Sequence, residues 1–141
     1  MGRAEIERLR SAYEAVNRGD WDAAFRHAHR DFEWKTDDRL LNAGTYRGRA
    51  EISRFFEDQR EPFDEVLVVP EEFFEQGNRL VAFVRMRSRP KGSTSFSESY
   101  IAHLWTFRDG KAARCEVFAA REQALEAVGL TKDVHNKELP S

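Results

Sequence analysis

The chain has 141 residues, 40% hydrophobic and 34% charged, with a formal net charge of -2. That length suits one domain whose core has room to enclose a cavity, and the near-balance of charge gives no basic field for a phosphate backbone, so nucleic acid is not an expected partner. No apolar run approaches the ~20 residues of a membrane span, and "MGRAEIERLR" lacks the apolar stretch of a signal peptide, so a cytoplasmic, bacterial-type protein without membrane contact is expected. The lone Cys115 excludes an intrachain disulfide. The excess lies in rings, with 11 Phe and 3 Trp, which line a pocket as readily as they fill a core.

In chain order, Ile6, Leu9, Tyr13 and Val16 recur at helical spacing and predict an amphipathic helix over residues 3–17. "NRGD" ends it: Gly19 supplies a left-handed position and Asp20 an N-cap for a second helix carrying Trp21, Ala24, Phe25 and Ala28 on one side. "DFEWKT" alternates Phe32, Trp34 and Thr36 with charges and predicts a short strand. A polar loop from Asp37 to Tyr46 then leads into a helix, "RGRAEISRFFEDQ", that turns Ile52, Phe55 and Phe56 inward.

From Pro62 onward the texture is β-rich. "FDEVLVVPEEFFEQG", "NRLVAFVRMRSR", "STSFSESYIAHLWTFR" and "KAARCEVFA" are separated by turn segments, among them Asp109-Gly110, a dipeptide suited to a hairpin turn with positive φ. "REQALEAVGL" closes as a helix ended by Gly129. The expectation is a single α+β domain over residues 1–130 and a polar tail over 131–141.

Alternation assigns faces. Ile101, His103, Trp105 and Phe107 share one face with the aromatic bulk, which should meet the helices; Ala113, Cys115 and Val117 belong with them after the turn. The other face mixes Leu104 and Phe118 with Arg85, Arg87, Glu98, Arg114 and Glu116. A face of that kind is expected to be covered by a second subunit, giving a homodimer.

His103 is the residue that raises a chemical question. A buried imidazole needs a hydrogen-bond partner. One reading is a core histidine bonded to a carbonyl or hydroxyl. The other is a polar handle in an apolar pocket, with a pKa near ~6.5 suited to proton transfer. His27 and His29, two apart on an expected helix, point in opposite directions and form no metal pair, so no metal is expected. Asp37 and Asp38 form either a solvated loop pair or, folded over a pocket mouth, a source of a general base. Trp34, Thr36 and Tyr46 flank the same region, and no Gly-rich phosphate loop or nucleophile elbow occurs.

"LRSAYEAVNRGDWDAAF", "DFEWKT", "GTYRGRAEISRFF", "HLWTFRDGKAARCEVF" and "REQALEAVGL", in this order, resemble the SnoaL-like branch of the nuclear transport factor 2-like superfamily over roughly residues 4–130. The resemblance implies a cone: a curled antiparallel sheet packed on three N-terminal helices, a short C-terminal helix, an internal pocket, and dimers through the convex side of the sheet. Laid against ketosteroid isomerases, the helix tyrosine falls on Ala12 with Tyr13 one residue off and turned away, the base near Thr36 beside Asp37, and the protonated aspartate on His103. Laid against SnoaL-type cyclases, His103 matches a pocket histidine and the acid/base aspartate falls on Val117. The implied function is cofactor-free proton transfer, of isomerase, cyclase or hydrolase type, on a small apolar oxygen-bearing molecule. His103 and Asp37 would be catalytic, and Trp34, Thr36, Tyr46, Phe55, Ile101, Trp105, Cys115 and Val117 would form the pocket. The alternative is a non-catalytic binding domain with the same pocket.

Overall fold

The structure, a computed structural model, describes residues 2–37 and 43–130, so Asp38 and the tail 131–141 lie outside the described residues. The elements run α1 (Arg3–Asn17), α2 (Trp21–Ala24), β1 (Ala28–Thr36), β2 (Gly44–Arg47), α3 (Gly48–Arg60), β3 (Phe63–Gln76), β4 (Arg79–Pro90), β5 (Ser97–Arg108), β6 (Lys111–Phe118) and α4 (Arg121–Ala127). The strands form one sheet in the order β2-β1-β6-β5-β4-β3. This is the expected α+β cone, with helices over the concave face of a curled sheet.

Local chemistry sets most boundaries where the sequence places them. Gly19 takes φ 73° after α1, and the Asp20 carboxylate accepts from Ala23 N at 3.1 Å to cap α2. Asp109 and Gly110 both have positive φ (55° and 76°), as a tight β5–β6 hairpin turn requires. Pro70 sits within β3, where it costs little because β3 is an edge strand; beside it the β3–β4 register shifts between Pro70 and Glu72. Such bulges bend strands and deepen the curl.

Three expectations are corrected. First, α2 stops at Ala24, and Ala28 opens β1 instead of closing a helix. Ala112 N donates to the His27 carbonyl at 3.0 Å, so pairing with β6 captures this segment as sheet. His27 and His29 are therefore not on a helix; His29 Nδ1 accepts from Asp31 N at 3.1 Å within β1. Second, the sheet is antiparallel except at β1–β6, which is parallel. A parallel pair needs a long crossover, and everything between β1 and β6 supplies it. Third, β6 carries a bulge opposite Thr106/Phe107, which shifts the phase so that Ala112, and not Ala113, joins Cys115 and Val117 on the inner face.

The outer face of β4 and β5 is also less bare than expected. Val81, Phe83, Ala102 and Leu104 pack under Ala124, Leu125 and Val128 of α4 and the residues after it. Leu104 is only 1% exposed, so the chain's own C-terminal helix covers the residue expected to meet a second subunit.

Candidate functional site

The site is built where α1 crosses the inner face of the sheet. Asn17, at the end of α1, holds the β3 backbone as a strand neighbour would: its Nδ2 donates to Val68 O at 3.0 Å and its Oδ1 accepts from Val68 N at 2.8 Å. The Arg60 guanidinium at the end of α3 donates to the carbonyls of Val16 and Asn17 in the last turn of α1. These bonds set the height of α1 over the sheet and bring Tyr13 above the middle of β5.

Between helices and sheet lies a cavity of about 580 Å³, following β5 from Phe107 to Ser99. Its walls come from α1 (Leu9, Ala12, Val16), α3 (Phe55, Phe56), β1 (Phe32, Trp34, Thr36) and β6 (Ala112, Val117), and they are overwhelmingly apolar. The rings along its walls meet edge to face, an arrangement aromatic pairs favour. Trp34 meets Phe56 at 87° with centroids 4.9 Å apart, and Tyr13 meets Trp105 at 88° and 6.0 Å.

His103 lines this cavity, 4% exposed, between Ala82 of β4 and Val117 of β6. The Tyr13 hydroxyl and His103 Nδ1 lie 2.7 Å apart, and Trp105 Nε1 donates to the same hydroxyl at 3.0 Å. The Tyr13 and imidazole planes are nearly parallel (7°, centroids 5.7 Å apart), side by side across their hydrogen bond, and Trp34 meets the imidazole edgewise (74°, 5.2 Å). Burial lowers the imidazole from its ordinary 6.5 to about 3, so His103 is neutral at any physiological pH. Burial likewise raises the Tyr13 hydroxyl and the Cys115 thiol well above their ordinary ranges, and both stay protonated. Trp34 Nε1 is buried with no hydrogen-bond partner among the described residues.

Of the residues singled out from the sequence, His103, Trp34, Thr36, Phe55, Ile101, Trp105 and Val117 all line the cavity. Three do not. Cys115 is fully buried in the core behind the wall, and Tyr46 lies against Phe55 with centroids 4.2 Å apart, on the far side of that ring. Asp37 stands just past the end of β1, where its Oδ2 accepts from Ala119 N at 3.3 Å. Thr36 and Ala119 border the cavity beside it, and the Thr36 hydroxyl engages Gly44 by accepting from its N–H at 2.9 Å. No carboxylate among the described residues hydrogen-bonds His103, whose partner is Tyr13 and not Thr36, Asp37 or Tyr46. Sequence reasoning missed Tyr13, which it set one residue off the matching helix position and turned away. The apolar stripe Ile6-Leu9-Tyr13-Val16 already held the signal, since the stripe faces whatever the helix covers. Among the described residues no cluster of three or more His, Cys, Asp or Glu could hold a metal ion. No helix there is long and apolar enough to cross a membrane.

A curled sheet closed by helices over a ring-lined cavity with one buried imidazole defines a pocket protein of the nuclear transport factor 2-like, or cystatin-like, fold. The chain belongs to the SnoaL-like domain family, whose match spans residues 9–115. Among solved structures it is similar to TerC co-crystallised with polyporic acid, at 26% identity and TM-score 0.74 over 89% of this chain and 98% of that one. It is also similar to a nuclear transport factor 2-like protein of unknown function from Burkholderia pseudomallei, at 22% identity and TM-score 0.73 over 91% and 99%. A third is a Catenulispora acidiphila protein with a ketosteroid isomerase-like fold, in complex with trimethylamine, at 16% identity and TM-score 0.67 over 94% and 98%. No curated protein matches the chain significantly.

Proposed function

We propose that the protein binds a small, largely apolar, oxygen-bearing molecule in the cavity, with His103 as its polar contact. The observation that carries this reading is an imidazole on the wall of an apolar cavity, held at Nδ1 by Tyr13 and left with its second nitrogen to bond. The volume lies within the ~300–1,000 Å³ usual for small-molecule sites. That TerC was crystallised with polyporic acid and the Catenulispora protein with trimethylamine supports small-molecule binding by this fold. The test is His103→Phe, followed by thermal melting and titration with an apolar fluorophore such as 1-anilinonaphthalene-8-sulfonate, competed by aromatic ketones. Expected are a kept fold and ketone competition weakened at least tenfold. Unchanged competition, or a collapsed melting temperature, returns His103 to a purely structural role.

A second reading makes the pocket a cofactor-free enzyme of isomerase, cyclase or hydrolase type. The observation favouring it is Asp37, a carboxylate hydrogen-bonded beside two cavity-lining residues. A neutral His103 would then polarise a substrate oxygen while Asp37 takes the proton. Deuterium from solvent would enter a bound ketone at its α-carbon, and Asp37→Asn would stop it; no incorporation by the wild type rejects this reading. The homodimer through the convex face is likewise a proposal. With Leu104 covered, it rests on Phe96 (37% exposed), Tyr100 (50% exposed) and Phe118, with charges such as Arg85–Glu98 at 3.1 Å. A monomer mass by light scattering at micromolar concentration rejects it.

A further inference from the structure

The three-residue chain Trp105–Tyr13–His103 fixes more than the position of the imidazole. An indole nitrogen can only donate, so the Tyr13 oxygen is the acceptor in the 3.0 Å bond from Trp105 Nε1. The hydroxyl has a single proton, and its other short contact is His103 Nδ1 at 2.7 Å. If Nδ1–H donated instead, the Tyr13 oxygen would accept twice and its own buried proton would have no acceptor among the described residues, so the proton goes to Nδ1, the bare, accepting nitrogen of a neutral ring. The ring's own proton is then on Nε2.

We propose that Tyr13, oriented by Trp105, locks His103 in the Nε2–H tautomer, so that the cavity presents a hydrogen-bond donor and selects ligands whose inner polar atom is a bare acceptor: a ketone, quinone or similar carbonyl oxygen. This rests on the ligand-binding reading above. A carbonyl accepts from Nε2–H and brings no proton of its own that needs a partner. An alcohol in the same place also accepts, but strands its own hydroxyl proton among rings, since the two imidazole nitrogens point apart and an oxygen bonded at Nε2 lies beyond hydrogen-bonding reach of the Tyr13 oxygen held at Nδ1. A carboxylate at His103 finds no cation bonded there, the guanidiniums that line the cavity being held by carbonyls elsewhere (Arg8 by Gly110, Arg60 by Val16 and Asn17), and an ammonium meets a donor. Tyr13 is thus a positioning residue: it acts on the ligand through the proton it gives to Nδ1. The lowered pKa of His103 agrees, because a ring that never becomes a cation keeps one tautomer across the working pH range.

Two measurements test it. In ligand-free protein with ¹⁵N-labelled histidine, His103 should show a protonated Nε2 and a bare Nδ1 from about pH 5 to about pH 8. A protonated Nδ1, or a cationic ring at the lower end, overturns the lock. The ligand pair is 2-acetylnaphthalene and 1-(2-naphthyl)ethanol, which share one skeleton. The wild type should bind the ketone about tenfold or more tightly than the alcohol, the cost of one stranded buried donor. Tyr13→Phe removes the proton source, frees the tautomer, and should narrow that ratio to about threefold or less while a second His103 tautomer enters the spectrum. If Tyr13→Phe fails to fold, Trp105→Phe replaces it, because the Tyr13 hydroxyl is then free to turn and accept from Nδ1–H. Equal wild-type affinity for ketone and alcohol overturns this inference and leaves the cavity reading standing. Binding of neither overturns the cavity reading as well.

Discussion

The two faces of the same strands are finished in opposite ways. On the outer face, Val81, Phe83, Ala102 and Leu104 are closed off by the aliphatic side chains of α4, and Arg121 lies over the rings of Phe83 and Tyr100. On the inner face, their neighbours His103 and Trp105 border the cavity, where Trp34 and Tyr13 meet them edge to face. One side is filled and the other hollow, though strand composition hardly differs between them. The difference lies in what covers each face: a short helix that fits closely, against helices held at a distance by Asn17 and Arg60. Stability should therefore reside mainly outside the cone and function inside it.

The largest effect should come from breaking the filled side. Leu104→Ala removes a fully packed side chain and should cost about 2–5 kcal/mol in urea unfolding. Ile101→Ala, on the same strand but facing the cavity, should cost about 1–2 kcal/mol, because part of its surface has no partner atoms to lose. Equal losses would erase the distinction between the faces. Next comes pH. The unfolded imidazole binds a proton below about 6.5, whereas folded His103 does so only below about 3. Inside that window the unfolded state holds more protons, so stability is intact above it and falls as pH drops through it, by up to about 1.4 kcal/mol per unit. From about pH 7.5 to about pH 5 the wild type should lose about 2 kcal/mol more than His103→Phe does. Parallel losses in the two proteins would place the imidazole in water.

Smaller again is the effect of filling the hollow. Ala12→Phe adds a ring from α1 into the cavity and should change stability by less than about 1 kcal/mol, since it meets space rather than packed atoms. It should nevertheless abolish fluorophore binding; retained binding would mean the probe sits elsewhere. The smallest effect belongs to the outer charges. Arg85 bonds Glu98 and Glu71 at 3.1 and 3.4 Å on a solvated face, so Arg85→Ala should cost less than about 1 kcal/mol, and less still at high salt.

The sequence made faces legible but not depth. Alternation along "YIAHLWTF" correctly puts His103 with Trp105 on the inner side, and the helical stripe puts Tyr13 on the buried side of α1. Neither period says where a helix crosses a curled sheet, so the contact between those two residues was not readable: Asn17 and Arg60, polar residues at helix ends, decide it. Cys115 and Tyr46 share parity or neighbourhood with the wall yet sit behind it for the same reason. Ala113 was misplaced because a bulge shifts the period of 2 without leaving a compositional mark. The short reach of α2 was hidden too, since its capture by β6 is a tertiary event.

The parallel β1–β6 seam has a consequence in time. Strands β4, β5 and β6 each pair with the strand made just before, so that the four-strand part of the sheet from β3 to β6 can assemble as it leaves the ribosome. Strand β1, made early, must wait for β6, made almost last, before Trp34 can lie beside Cys115 and Thr36 beside Val117. Joining such distant segments is slow compared with closing hairpins. The cavity has walls from both halves, and so it comes into being only at that final seam. Until then its rings are exposed, and a nascent chain is at its most adhesive just before it acquires a place to put a ligand.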